Sequence, residues 1–276
     1  MIEETFECLP RDYCERYLER LEMPWPEVLD RAYLDSLIEA HLMHIPFENF
    51  TSCVYREPVL IDLDSTYEKI VVNKRGGYCF EMNSLFLGLL RGLGYNAYPI
   101  GVRLMRPGMT VAGAVSHRGS VVVLDGVKHY CDVGLGSVAC SRAVTMVDGA
   151  ETETFLGTFK YEDLCEGWMM QLYKGHNEDE WRQVMISGTV PAIPIDFQGP
   201  NQNMQHPPAP FSIMLMTQIL TPTGTCSINN DILTIRGPEG KTQTKLETAE
   251  DLQKAMSEIF HVDFDLDVCK QWVPKE

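Results

Sequence analysis

The chain has 276 residues, 45% of them hydrophobic, which suffices for more than one buried core and for two or three compact units. A formal net charge of −16 without any Lys/Arg-rich block excludes nucleic acid as a partner, because a phosphate backbone calls for a cationic face. No apolar run approaches membrane-spanning length, and the acidic start MIEETFECLP lacks the basic beginning and apolar stretch of a secretory signal, so no membrane partner and a cytoplasmic location are expected. Nine cysteines, an odd number without a C-x-x-C pair, fit reduced thiols better than a disulfide framework or a zinc site, and no metal is expected.

In chain order, the first third reads as helical. Tyr13, Tyr17, Leu18 and Leu21 form one apolar stripe after Pro10; Leu34, Leu37, Ile38, Leu42 and Ile45 form another that stops at Pro46. A third helix opens at the run RGGYCFEMN. Met82, Leu85, Phe86, Leu89 and Leu93 recur at helical spacing behind it, and Gly94 stands where a left-handed stop belongs. Gly76 and Gly77 are expected to turn the chain sharply into this helix and to leave room beside the sulfur of Cys79. From about Asn96 the pattern shifts to short β-rich runs, AYPIGVRL, SVVVL and KHYCDV, which suggest an antiparallel sheet or barrel. A third unit begins near the proline-rich segment at Pro207 to Pro210. It holds DILTIRGPEG, a strand and turn, then TAEDLQKAMSEIFHV, where Thr248 and Asp251 resemble a capping box and Leu252, Met256, Ile259 and Phe260 share a face. Pattern alone supports an α+β chain of several units.

Among these elements Cys79 is the candidate nucleophile, since a helix N-terminus favours a thiolate. A thiol needs a base. In SVVVLDGVKHYCDV, a two-residue Asp125-Gly126 hairpin loop places Leu124 opposite Val127 and Asp132 opposite Gly119. His117 then shares the face of Gly119 and is a diagonal neighbour of Asp132, within reach of long side chains. The same register sends His129 and Cys131 to the other face, which sets aside the nearest decoys.

These residues resemble the arylamine N-acetyltransferase family. The resemblance rests on RGGYCFEMN around Cys79, on His117 following 38 residues later, and on DVGLG beginning 15 residues after that at Asp132. It extends to Ile45–Asn49 within HLMHIPFENF and to PIDFQGPNQNMQHPPAPF, and so covers most of the chain. It implies an α+β, cysteine-protease-like fold in three parts: a helical bundle over 1–95 carrying the nucleophile, a β-barrel over 96–205 carrying His117 and Asp132, and an α/β lid over 206–276. It also implies acetyl-CoA as donor and a small amine or hydrazine as acceptor, joined through an acetyl-cysteine in a ping-pong mechanism. By resemblance, Gly113 and Gly136 offer backbone contacts to the donor and Phe211 packs on its pantetheine arm, while Phe47 and Leu135 are candidates for the acceptor pocket. The sequence departs from the family at Leu135, where an aromatic is usual, and at Gln205 and Ala209, where serines tend to precede the phenylalanine. Because coenzyme A is itself an anion, the acidic chain should bind its donor modestly and with salt sensitivity.

Other readings stand beside these. Papain-like proteases and transglutaminases use a Cys, a His and an Asp or Asn in this chain order. A family amide synthase acting on a carrier-bound acyl chain, or an idle binding module, would keep the same fold. Cys8, Cys14, Cys53, Cys140, Cys165, Cys226 and Cys269 read as small buried apolar residues. Arg75 and Glu48 read as a partly buried ion pair joining the IPFEN segment to the nucleophile loop. Glu81 and Asn83 read as ordinary polar groups of a first helical turn, and Phe47 as either pocket or core.

Overall fold

The computed structural model describes residues 6–105, 108–136 and 140–272; the opening Met1–Thr5 of the acidic start lies outside the described residues. Helices α1 (Arg11–Arg20) and α2 (Arg31–His44) follow the two apolar stripes, and Asp30 caps α2 by accepting from the Tyr33 amide at 2.8 Å. A two-residue strand β1 (Phe47–Glu48), a π-helical turn (Thr51–Tyr55), α3 (Leu63–Tyr67) and a second π-helical turn (Glu68–Val72) lead to α4 (Cys79–Leu93). Gly94 ends α4 with φ at 105°, a left-handed stop that an L side chain would resist.

Helix α4 departs from a one-faced amphipathic helix. Every residue in it except Arg91 and Gly92 is buried, because α1 and α3 pack on one side and the sheet on the other. Polar side chains in its first turns are therefore enclosed and must find partners.

The chain then runs through β2 (Ala97–Leu104), β3 (His117–Leu124), β4 (Val127–Cys131), β5 (Val144–Thr145), β6 (Glu151–Thr154), β7 (Gly157–Cys165), β8 (Trp168–Gly175) and β9 (Arg182–Gly188). These form one antiparallel sheet in the order β5-β4-β3-β2-β9-β8-β7-β6. Its two edges meet, with the Thr145 amide donating to Thr152 Oγ1 at 3.2 Å, so the sheet is a nearly closed barrel around Ile100, Val102, Val121, Tyr130, Phe159 and Tyr161. Asp125 and Gly126 adopt φ of 50° and 80°, the mirror-image turn that suits a two-residue hairpin. Pairing runs Leu124 with Val127 through Ser120 with Cys131, the register read from the sequence.

After α5 (Gln198–Met204) and the short α6 (Pro210–Ile213) come β10 (Met216–Thr221), β11 (Gly224–Asn229), β12 (Ile232–Gly237), β13 (Gly240–Lys245), α7 (Ala249–Glu258) and α8 (Leu266–Lys270). Thr248 and Asp251 form the capping box of α7, each accepting from the other's amide at 3.1 and 3.0 Å. The second sheet has the order β1-β10-β11-β12-β13, so the chain's first strand pairs, distant in sequence, with this last unit. Sequence periodicity gives no warning of a two-residue strand.

Two cysteine readings are corrected. Cys8 and Cys165 are exposed, whereas Cys14, Cys53, Cys140, Cys226 and Cys269 are buried; all nine are free thiols. Cys165 ends β7, beyond the stretch whose alternate residues face the barrel interior.

Candidate active site

Cys79 is the first residue of α4, so its amide belongs to the helix's unpaired N-terminal donors. Behind it Glu81 closes the helix start, Oε2 accepting from the Tyr78 amide at 3.0 Å and Oε1 from Lys69 Nζ at 2.7 Å. That is the polar first-turn role read from the sequence, made necessary by full burial. Gly76 and Gly77 differ from expectation, since neither has positive φ. Their smallness serves close approach instead: a Cβ on Gly76 would strike the Pro46 carbonyl, and Gly77 lies against β1, its carbonyl oxygen accepting from the Glu48 amide at 2.9 Å.

The segment Ile45–Asn49 joins three parts of the molecule. Phe47 pairs with Gln218 of β10. Glu48, fully buried, accepts from Arg75 Nη2 at 2.7 Å and from the Phe50 amide at 2.7 Å, with Lys69 Nζ at 3.8 Å. Burial pushes its carboxyl up, and Arg75 and Lys69 more than reverse this, holding it below its ordinary value. Asn49 donates to the carbonyls of Phe211 and Met214 at 3.0 and 2.7 Å and accepts from the Met216 amide at 2.8 Å, which fixes Phe211 beside the nucleophile loop.

The hairpin delivers the base. His117 Nε2 lies 2.6 Å from Asp132 Oδ2, and both residues are buried. Asp132 accepts three further hydrogen bonds: Oδ2 from the Tyr130 hydroxyl at 2.7 Å, Oδ1 from Asn83 Nδ2 at 2.8 Å and from the Gly134 amide at 2.8 Å. Burial raises its carboxyl, but His117 and these donors hold it below the usual carboxylate range. An ionised Asp132 only accepts, so Nε2 carries a proton and Nδ1 is left for the sulfur. Cys79 and His117 line the same cleft, and the two side chains interact there. For His117, burial acts downward as the largest single influence; the Asp132 charge and hydrogen bond together with Cys79 outweigh it and push the imidazole up to about 10.

Asn83 is not the ordinary first-turn group expected from sequence. Its Nδ2 also donates to the Arg118 carbonyl at 2.7 Å, and its Oδ1 accepts from the Val133 amide at 3.0 Å, so one side chain ties the nucleophile helix to the strand carrying His117 and to the segment after β4 that carries Asp132. Tyr130 is the other residue the sequence reading passed over. Gly119 makes room for it, because a Cβ there would collide with the Tyr130 ring. Gly134 makes a comparable allowance, since its Cβ would come 2.7 Å from the Cys79 Cα. The sequence signal for Tyr130 was available: it shares the face of Asp132, two residues away.

Cys79 and His117 open on a cleft of about 420 Å³ whose walls include Phe47, Leu135, Gly136, Phe211, Gln218 and Arg236. Phe47 serves both readings, lining the cleft and packing into the main core, with its ring 5.6 Å from that of Phe211. Gly136, at φ 73°, has its carbonyl held by Gln218 Nε2 at 2.6 Å. Gly113 is not among the lining residues; its carbonyl accepts from Arg103 Nη1 at 2.6 Å. Arg236 was not anticipated, and among the described residues it is the lysine or arginine that the cleft wall contains. Among the described residues no cluster of three or more metal-ligating side chains occurs, and no helix is long and apolar enough to cross a membrane.

The arrangement is a buried carboxylate, an imidazolium and a thiol in series at the base of a cleft, which suits nucleophilic acyl transfer. Residues 30–269 match the family model described as N-acetyltransferase. An arylamine N-acetyltransferase of Escherichia coli is 30% identical over 154 residues, so the match spans 55% of this chain and only about half, 53%, of that relative. A pineal gland isozyme of Gallus gallus arylamine N-acetyltransferase is 26% identical over 267 residues, 89% of this chain and 90% of the relative. Among solved structures, the Salmonella typhimurium arylamine N-acetyltransferase superposes with a TM-score of 0.88 at 20% identity, covering 95% of this chain and 98% of its own. The Mycobacterium marinum enzyme in complex with CoA gives 0.84 at 22% identity, covering 93% and 96%. At such identities the structural likeness establishes the α+β three-part fold. With the family model matching most of the chain, residues 30–269, and these relatives beside it, this chain belongs to the arylamine N-acetyltransferase family.

Proposed function

We propose that the protein transfers an acetyl group from acetyl-CoA to an arylamine, arylhydrazine or related amine, through a covalent acetyl-cysteine at Cys79. The observation that carries this reading is the buried His117–Asp132 pair at 2.6 Å, with Cys79 against the same imidazole at the open cleft. In the first half-reaction the Cys79 sulfur bonds to the acetyl carbonyl carbon, the bond to the coenzyme's sulfur breaks, and the departing thiolate takes the proton from His117 Nδ1. One thioester replaces another, so the acyl group stays activated while the coenzyme leaves. In the second, the amine nitrogen attacks, His117 removes its proton, and the Cys79 thiolate departs as the amide or hydrazide forms. Asp132 fixes the tautomer and offsets the imidazolium charge. The Cys79 amide, at the helix start, is the candidate oxyanion donor.

Phe211 is assigned to the pantetheine arm, Gly136 to a backbone contact with the donor, and Phe47 and Leu135 to the acceptor wall, all from their shared cleft. Arg236 is assigned to the donor's phosphates as the guanidinium of that wall. The coenzyme complex of the Mycobacterium marinum relative supports a coenzyme A donor. In domain terms, 1–95 is read as the bundle bearing the nucleophile, 96–205 as the barrel and 206–276 as the lid. Nine free thiols agree with work in the reducing cytoplasm. Initial rates measured across both substrates test the scheme: parallel double-reciprocal lines are predicted, and intersecting lines would contradict a covalent intermediate.

A further inference from the structure

A second and larger cleft, of about 930 Å³, shares no lining residue with the one at Cys79. It lies where α1, α2 and the π-helical turn Glu68–Val72 meet the end of β10 and the C-terminal end of α7. Arg20, the last residue of α1, lines it. Its Nη1 is buried without a hydrogen-bond partner, and Arg20 makes no ion pair among the described residues. Burial draws the guanidinium down, to about 10, against an opposing influence from Tyr17. Among the described residues no acid pairs with it: of the two that line the cleft, Glu22 lies 3.9 Å from His44 Nε2, and Glu19 makes no ion pair.

The basic side chains beside Arg20 outnumber the two acids. Arg16, Lys74, His44 and His261 line the same cleft, and the buried His41 behind it is held down to about 3 by burial, by Arg20 and by His44. Three formal cations, Arg16, Arg20 and Lys74, against Glu19 and Glu22 leave the cleft one charge positive in a chain of net charge −16. A half-buried guanidinium without an acid is costly to keep unless something anionic completes it. The remaining wall is hydrocarbon, with Val71, Ile219, Leu220 and Ile259. Inorganic anions would leave that wall unused.

We infer that this cleft is a second binding site, for an organic monocarboxylate whose carboxylate pairs with the Arg20 guanidinium and whose apolar body packs on Val71, Ile219 and Ile259. The ligand would rest on the far end of β10, the strand whose first half lines the cleft at Cys79.

Calorimetric titration of the full chain with 3-phenylpropionate tests this, with 3-phenylpropionamide as the uncharged control. The wild type should bind the carboxylate, and the amide at least about tenfold more weakly, as loss of a charge-assisted pair implies. Arg20→Met, which keeps the side-chain length and removes the charge, should lose at least about tenfold in affinity without a lower melting midpoint. Thr221→Trp, which fills the cleft from its wall, should lose binding as well and carries the test if Arg20→Met does not fold. Absence of binding to the wild type at millimolar ligand, equal binding of acid and amide, or undiminished binding by the folded variants would overturn the assignment.

Discussion

Asp132 accepts four hydrogen bonds inside the protein, and the one to His117 decides which imidazole nitrogen faces the sulfur. In Asp132→Asn the amide can keep an oxygen toward Asn83 and Gly134, but it then presents an NH₂ to His117 Nε2. The ring must become neutral with its proton on Nδ1, the wrong nitrogen for taking a proton from the nucleophile or the amine. The acetyl-transfer rate should fall by about 10²–10⁴ while the fold persists; a rate within about threefold of wild type would remove the assignment. The charge state is directly observable. With a folded value near 10 against 6.5 unfolded, the imidazolium stabilises the fold in full below pH 6.5, and this contribution is lost as pH rises through about 10. The His117 proton resonance should therefore stay in its protonated position through pH 8, and should move below 6.5 in Asp132→Asn, where burial is no longer opposed. Asp132 has the opposite sign, its contribution disappearing as pH falls through its depressed value. Asn83→Ala strands the Val133 amide and withdraws a donor from Asp132, which should cost about 1–3 kcal/mol in denaturant unfolding together with a loss of rate. His117 and Asp132 were legible because a two-residue turn fixes register arithmetically. Asn83 was not, because nothing in its own helix reveals that every side of that helix is covered.

At the scale of elements, the nucleophile loop, β1 and the hairpin hold their positions by charge and by missing Cβ atoms. Glu48, Arg75, Lys69 and Glu81 form one buried cluster between the Ile45–Asn49 segment and the start of α4. Glu48→Gln leaves Arg75 short of its acid, Lys69 keeping Glu81 at 2.7 Å, and should destabilise by about 3–5 kcal/mol, while the folded fraction still acetylates to one group per chain. A folded Glu48→Gln protein without acetylation would instead place Glu48 in the chemistry. Gly119→Ala should cost about 1–3 kcal/mol by overpacking and should also slow turnover, because the Tyr130 ring cannot retreat without releasing Asp132. Helix boundaries, the hairpin and the capping box of α7 could all be read from local pattern, since each is decided by neighbours in sequence. The role of Gly76 could not: its contact is with the Pro46 carbonyl, thirty residues back, and the left-handed residue of that turn is Lys74, at φ 50°, not a glycine.

Over the whole molecule, the acidic surface opposes an anionic donor, and Arg236 is the local exception in the cleft wall. Arg236→Ala should raise KM for acetyl-CoA several-fold, leave kcat near wild type, and flatten the dependence of KM on added salt. An unchanged salt response would assign the phosphates elsewhere. The α+β class followed from the change of periodicity near Asn96, whereas the sharing of one sheet between β1 and β10–β13 joins segments some 170 residues apart, beyond any local signal. All of the proposed chemistry passes through one sulfur. Incubation with acetyl-CoA in the absence of acceptor, followed by intact-mass and peptide analysis, should find a single acetyl group on Cys79 that disappears when an arylamine is added. Acetyl-amine production with Cys79 unmodified at every time point, or in the Cys79→Ser protein, would contradict the account.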